Sequence, residues 1–240
     1  MCPFSRLFAL VALMNFLISV LFAQPVADPA GHWEGTIQAP DVRVTFAIDL
    51  AKNEKGQWAG TFTEPDRGIK GLPLSTVTLE GRSLRFVLRP GQGGGTFNGT
   101  LAADNGSLNG EFVMAEGGHV LPFTLTRTGD ARIAAAPRSP AIDNALAATW
   151  QGTVDLAGKP LRIILSMTNH PDGTATGTVM SPDGSGVEIP IAIAQREANL
   201  TIDVPSVGAS FAGVLSADKT ELKGTWTQGP ASLPLVLRRN

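Results

Sequence analysis

The sequence predicts an all-β chain built as two tandem, small, eight-stranded antiparallel up-and-down barrels joined by an Ala/Pro-rich linker. Three observations predict it. The chain repeats itself, its apolar residues alternate with period two inside each copy, and short turn-rich connections separate the alternating segments.

The repeat runs in order through both halves. Trp33-Glu34-Gly35-Thr36 matches Trp150-Gln151-Gly152-Thr153, Gly60-Thr61 matches Gly177-Thr178, and Pro65-Asp66 matches Pro182-Asp183. After a small slip, Phe97-Asn98-Gly99-Thr100-Leu101 matches Phe211-Ala212-Gly213-Val214-Leu215, and Leu125-Thr126-Arg127 matches Leu237-Arg238-Arg239. The copies occupy residues 31–127 and 149–240. Residues 128–148, with Ala134-Ala135-Ala136-Pro137 and Ser139-Pro140, read as the linker. Residues 141–148 have room for one helical turn.

Within a copy, Val44, Phe46, Ile48 and Leu50 alternate with Arg43, Thr45, Ala47 and Asp49. Likewise Leu84, Phe86 and Leu88 alternate with Arg85, Val87 and Arg89. Side chains two apart share a face, so each segment is a strand with one buried side. Short connections make neighbours antiparallel, and closing eight strands into a barrel removes the exposed edges.

Residues 1–23 read as a secretory signal peptide: Arg6 supplies positive charge, residues 7–22 are apolar except Asn15 and Ser19, and Ala23 offers a cleavage point. The apolar run is shorter than the roughly 20 residues that span a bilayer. Export to the periplasm or the outside is therefore expected, with no membrane span in the mature chain. The only cysteine, Cys2, leaves with this segment, which excludes disulfides and thiolate chemistry afterwards. A net charge of −2 with dispersed basic residues gives no footprint for nucleic acid.

Gly31-His32-Trp33 on the first strand, with Arg127 on the last, resembles the Gly-x-Trp and packing-arginine arrangement of the calycin group (lipocalins, fatty-acid-binding proteins, avidins). The second copy keeps Trp150 and Arg239 but has Ala148 at the glycine position. Thr149-Trp150-Gln151-Gly152-Thr153 and Gly224-Thr225-Trp226-Thr227-Gln228-Gly229, followed by Leu233-Pro234-Leu235, are similar to a β-module that precedes the catalytic domain in some secreted bacterial α/β-hydrolases. These resemblances imply a barrel and export. They bring no catalytic residue.

No catalytic, metal or cofactor site is expected. Gly208-Ala209-Ser210-Phe211-Ala212 breaks the nucleophile-elbow pattern at its last position. His32, His119 and His170 lack chelating spacing. If the first and last strands of copy one pair, His32 and His119 could approach each other on or near the outer surface. Asp66 and Asp183 follow prolines and read as turn residues.

The uncharged inward face carries the remaining signal. Trp33, Phe46, Phe97 and Phe112 in copy one, and Trp150, Ile163, Ile202, Phe211, Trp226 and Leu235 in copy two, are candidates for lining an apolar cavity. Rings filling the space beside inward glycines would instead give solid cores; small eight-stranded barrels do either. Copy two has fewer rings, so a cavity is expected there first. The functional expectation is an exported non-catalytic module that binds an unknown protein or envelope component. The alternatives are a lipocalin-like carrier of a small apolar ligand and an accessory part of a secreted hydrolase.

Overall fold

The computed structural model describes residues 26–89, 94–156, 158–184 and 186–240. The expected signal peptide, residues 1–23, lies outside them. The first copy forms β1 (Gly31–Gln38), β2 (Arg43–Lys52), β3 (Trp58–Glu64), β4 (Ile69–Pro73), β5 (Thr76–Glu80), β6 (Ser83–Leu88), β7 (Gly95–Leu101), β8 (Ser107–Met114) and β9 (Val120–Gly129). A two-residue strand in the intervening segment, β10 (Ser139–Pro140), precedes the second copy. That copy forms β11 (Thr149–Leu156), β12 (Lys159–Asn169), β13 (Thr174–Met180), β14 (Ile189–Arg196), β15 (Asn199–Val204), β16 (Ala209–Leu215), β17 (Glu221–Gln228) and β18 (Ala231–Arg239).

The two copies build the same antiparallel wall. In the second, β11 pairs with β18 and β13 pairs with β14, so the eight strands from β11 to β18 close on themselves. One strand, β14, turns the corner: residues 189–191 pair with β13 and residues 192–196 with β15. In the first copy this strand is broken. Its halves are β4, paired with β3, and β5, paired with β6. The break lies at Leu74-Ser75, where the Leu74 amide donates to Gly60 O and the Ser75 amide to Val87 O, both at 2.9 Å. Among the described residues the first copy therefore has nine strands where the sequence suggests eight, in a curled sheet whose two ends are halves of one bent strand. Gly71, at φ 62°, lies in the first half, where its amide bonds to the Thr63 hydroxyl at 3.0 Å. A side chain there would be strained.

Each barrel is plugged at one end by the segment that enters it. The Trp33 indole donates to Pro29 O at 2.9 Å, and the Trp150 indole donates to Leu146 O at 3.0 Å. Ile142 and Leu146 are buried in the second core. The Asn169 side chain holds Ile142 through both its backbone N–H (3.0 Å) and its carbonyl (2.8 Å). Asp143 to Ala147 makes a single turn. Residues 139–148 thus pack as part of the second barrel.

Inward residues form two separate cores. Both contain an opposed glycine pair, Gly99 with Gly110 and Gly213 with Gly224. A Cβ on Gly110 would fall 2.0 Å from Asn98 O, and one on Gly224 would fall 2.1 Å from Ala212 O. Only glycine lets the backbones approach this closely.

Candidate functional site

The end of the second barrel away from its plug meets β4 of the first through the 3-10 turn Pro205–Val207. Ile189 and Val207 pack against both cores. Beside them lies a cavity of about 350 Å³ in the open end of the second barrel, within the size range of small-molecule sites. Its apolar wall includes Leu161 and Ile163 from β12, Val179 from β13, Val204 from β15 and Trp226 from β17. Two of the residues expected to line a cavity, Ile163 and Trp226, are therefore on it. The other eight are buried in the cores.

The space follows from side-chain volume. Where the first copy has Phe46, Phe62 and Phe112, the second has Ile163, Val179 and Trp226. In the first barrel the rings fill the interior. Phe97 sits among Phe46, Phe62, Phe86, Phe112 and Phe123, with centroids 4.4 to 6.4 Å away. Such offset and edge-on packing leaves little room between rings. Isoleucine and valine at two of those places shorten the reach of the wall.

Polar groups stand around the cavity. Arg89 reaches it from the first barrel. Strand alternation assigns Arg89 to the outer face, but β6 ends at Leu88 and Arg89 has φ 45°, which redirects its side chain. Burial lowers its pKa, as does Arg67 nearby, while Glu64 raises it. A guanidinium stays charged through any such shift at neutral pH. Glu64, buried on the inward face of β3, has its carboxyl raised by burial, partly offset by Arg67 and Arg89. Its Oε1 lies 3.8 Å from Arg67 Nε.

The matching position in the second barrel, one residue before Pro182-Asp183, is Ser181. Its hydroxyl oxygen is buried and has no hydrogen-bond partner among the described residues. Asp183 follows it on the cavity rim. Its carboxylate accepts from Arg162 Nε at 2.9 Å and Nη2 at 2.7 Å, which holds its pKa down at about 2. Asp183 is thus a structural ion-pair partner as well as a turn residue. Asp66, its match, lies exposed in the 3-10 turn Pro65–Arg67.

The histidine expectation is corrected. The first and last strands of copy one do pair, but His32 lies opposite Gly129 at one end of β9 and His119 precedes the other. Ten residues of extended chain separate them by roughly 30 Å. His32 is also not on the surface: it is 7% exposed. Its Nδ1 faces Asp49 Oδ1 at 2.7 Å and its Nε2 faces Glu34 Oε1 at 3.2 Å.

The same Asp49 oxygen accepts from the Arg132 amide at 2.7 Å, which ties the segment after β9 to the barrel wall. Residues Arg132 to Pro137, with His32, Thr61, Pro190 and Pro205, border an outer groove of about 700 Å³. His170 Nε2 lies 2.8 Å from the Thr176 hydroxyl across the β12–β13 hairpin. Among the described residues, no group of three His, Cys, Asp or Glu is placed to hold a metal ion.

Arg89, Ser181, Leu161 and Val204 are cavity residues that the sequence reading missed. Leu161 and Val204 belong to inward runs already recognisable by their alternation. Arg89 and Ser181 follow the ends of strands, where alternation stops being informative.

No protein-family profile matches the chain, and no curated protein does. Among solved structures, the chain is similar to a candidate outer membrane protein of Bacteroides fragilis, with a TM-score of 0.29 and 11% identity over 88% of this chain and 97% of that one. It is similar to a protein of unknown function from the DUF3598 family of Nostoc punctiforme, with a TM-score of 0.26 and 16% identity over 88% and 96%. A third similarity is to the isotype 1 transferrin binding protein B of serogroup B Neisseria meningitidis, with a TM-score of 0.26 and 11% identity over 82% of this chain and 52% of that one. At these TM-scores the likenesses carry no functional argument, so the activity of this all-β, two-barrel chain has to be read from its own residues.

Proposed function

We propose that this chain is an exported, non-catalytic binding protein that holds a small apolar ligand in the open end of its second barrel. The cavity of about 350 Å³ carries this reading: it is walled by aliphatic side chains and Trp226 at the place where the first barrel has rings. An apolar pocket with a few polar groups converging on it is the usual form of a ligand site. The calycin resemblance of Trp33 with Arg127 and Trp150 with Arg239 agrees with a carrier, and residues 1–23 agree with export.

The test is titration of the purified protein with N-phenyl-1-naphthylamine, an uncharged apolar fluorophore. One saturable site is expected in the wild type, lost in Val179→Phe, which restores the ring of the first copy. An absent site, or one that Val179→Phe leaves intact, overturns the reading.

A second reading rests on the outer groove beneath Arg132 to Pro137, whose border of prolines, Thr61 and His32 suits an extended protein segment from an envelope partner. Cross-linking from a photoreactive residue at Thr61 checks it. Failure to capture any envelope protein there removes this reading.

A further inference from the structure

We infer that the ligand of the second barrel is an amphipathic anion, such as an alkyl carboxylate, whose tail occupies the apolar cavity and whose head group sits on Arg89 of the first barrel. The inference rests on the reading of that cavity as a ligand site and adds the ligand's chemical class. It also makes the site a joint product of both barrels.

Arg67 has Glu64 within 3.8 Å, and Arg162 has Asp183 within 2.7 Å. Arg89 borders the same apolar space, yet no carboxylate among the described residues comes within ion-pair distance of it. Glu64 acts on it only at longer range. A charged group removed from water without a close partner is costly, and such groups are normally paired or hydrogen-bonded. A carboxylate provides what is missing, because the planar guanidinium accommodates two parallel N–H···O bonds.

Among the described residues that border the cavity, Arg89 is the only cation. The rim carboxylate of Asp183 is already engaged by two guanidinium bonds from Arg162. Ser181, whose buried hydroxyl lacks a partner among the described residues, also lines the cavity. Leu161, Ile163, Val179 and Trp226 remain for the tail.

Three ten-carbon probes with different head groups test this in the wild-type protein by calorimetry: decanoate, decanol and decyltrimethylammonium. Decanoate is expected to bind at least tenfold tighter than decanol, with the cation weakest. Arg89→Gln is expected to weaken decanoate tenfold or more while leaving decanol within twofold. Equal binding of decanoate and decanol by the wild type overturns the head-group assignment but leaves the apolar site standing. Binding of none of the three overturns both. Should Arg89→Gln fail to fold, the wild-type ranking of the three probes still decides.

Discussion

The two barrels share a wall and differ in filling. Both have a tryptophan anchored to a carbonyl four residues earlier and a glycine pair where strands nearly touch; the strand that changes neighbours midway is continuous in the second and broken in the first. In the first barrel, phenylalanines stack on one another across the interior. In the second, aliphatic residues leave a cavity at the open end. The comparison shows that the repeated residues are those that shape the backbone. The residues that decide between a packed core and a binding site are free to diverge, because inward positions on a closed wall accept any apolar side chain of tolerable volume.

The strongest way to break this comparison is to remove a central ring from each barrel. Phe97→Ala takes away a ring that touches five others and is expected to cost about 4 kcal/mol, while Phe211→Ala costs about 3 kcal/mol, since aliphatic neighbours beside a cavity relax more easily. Urea unfolding followed by tryptophan fluorescence reads both, with Trp33 and Trp58 reporting the first barrel and Trp150 and Trp226 the second. Equal losses would remove the claimed difference in filling.

The shared scaffold is tested by Gly110→Ala and Gly224→Ala, which force a methyl group against a carbonyl oxygen in each copy. Each is expected to destabilise its barrel by roughly 2 kcal/mol. Tolerance of one and not the other, in the same unfolding measurement, would show that the two walls are not equivalent there.

Val179→Phe sharpens the comparison by converting the second barrel toward the first. Filling the cavity should stabilise that barrel by about 1 kcal/mol as measured by thermal unfolding. A destabilised variant would mean that the space has no room for a ring.

The smallest expected effect concerns the matched mouth residues Glu64 and Ser181. Burial raises the Glu64 carboxyl above its ordinary 4.5. Between the ordinary and the raised value the folded chain binds more protons than the unfolded one, so stability falls as pH rises through that window and levels off above it. Glu64→Gln should flatten this part of the pH profile, and denaturant midpoints from pH 4 upward measure it. An unchanged slope would show that Glu64 does not sense its burial.

Much of the fold is readable from local pattern. Phe46, Ile48 and Leu50 declare their inward face because a strand alternates strictly, and the match of Trp33 with Trp150 declares the duplication. The broken strand is less readable: Gly71 and Pro73 in β4 signal an irregularity, but they do not say that the chain changes partner at Leu74-Ser75. Only the curvature of the wall imposes that. Of the cavity, Ile163 and Trp226 were readable as inward residues. Arg89 was not, because its positive φ takes it out of the alternation that defines inside and outside.

The linker illustrates the same boundary. Its composition suggests a spacer, yet Arg132 is tied to Asp49 and Leu146 receives the Trp150 indole. Those partners lie on strands, and no local pattern in residues 128–148 names them.

The sequence by itself determined an all-β chain, its duplication and the apolar inner face, because these depend on residue spacing along a strand of fixed period. Only folding in three dimensions decided that His32 and His119 lie beside opposite ends of β9, that the first sheet curls round to the two halves of a broken strand, and that Arg89 of one barrel borders the cavity of the other. Each of these depends on where separate strands end in space, and side-chain periodicity carries no information about that.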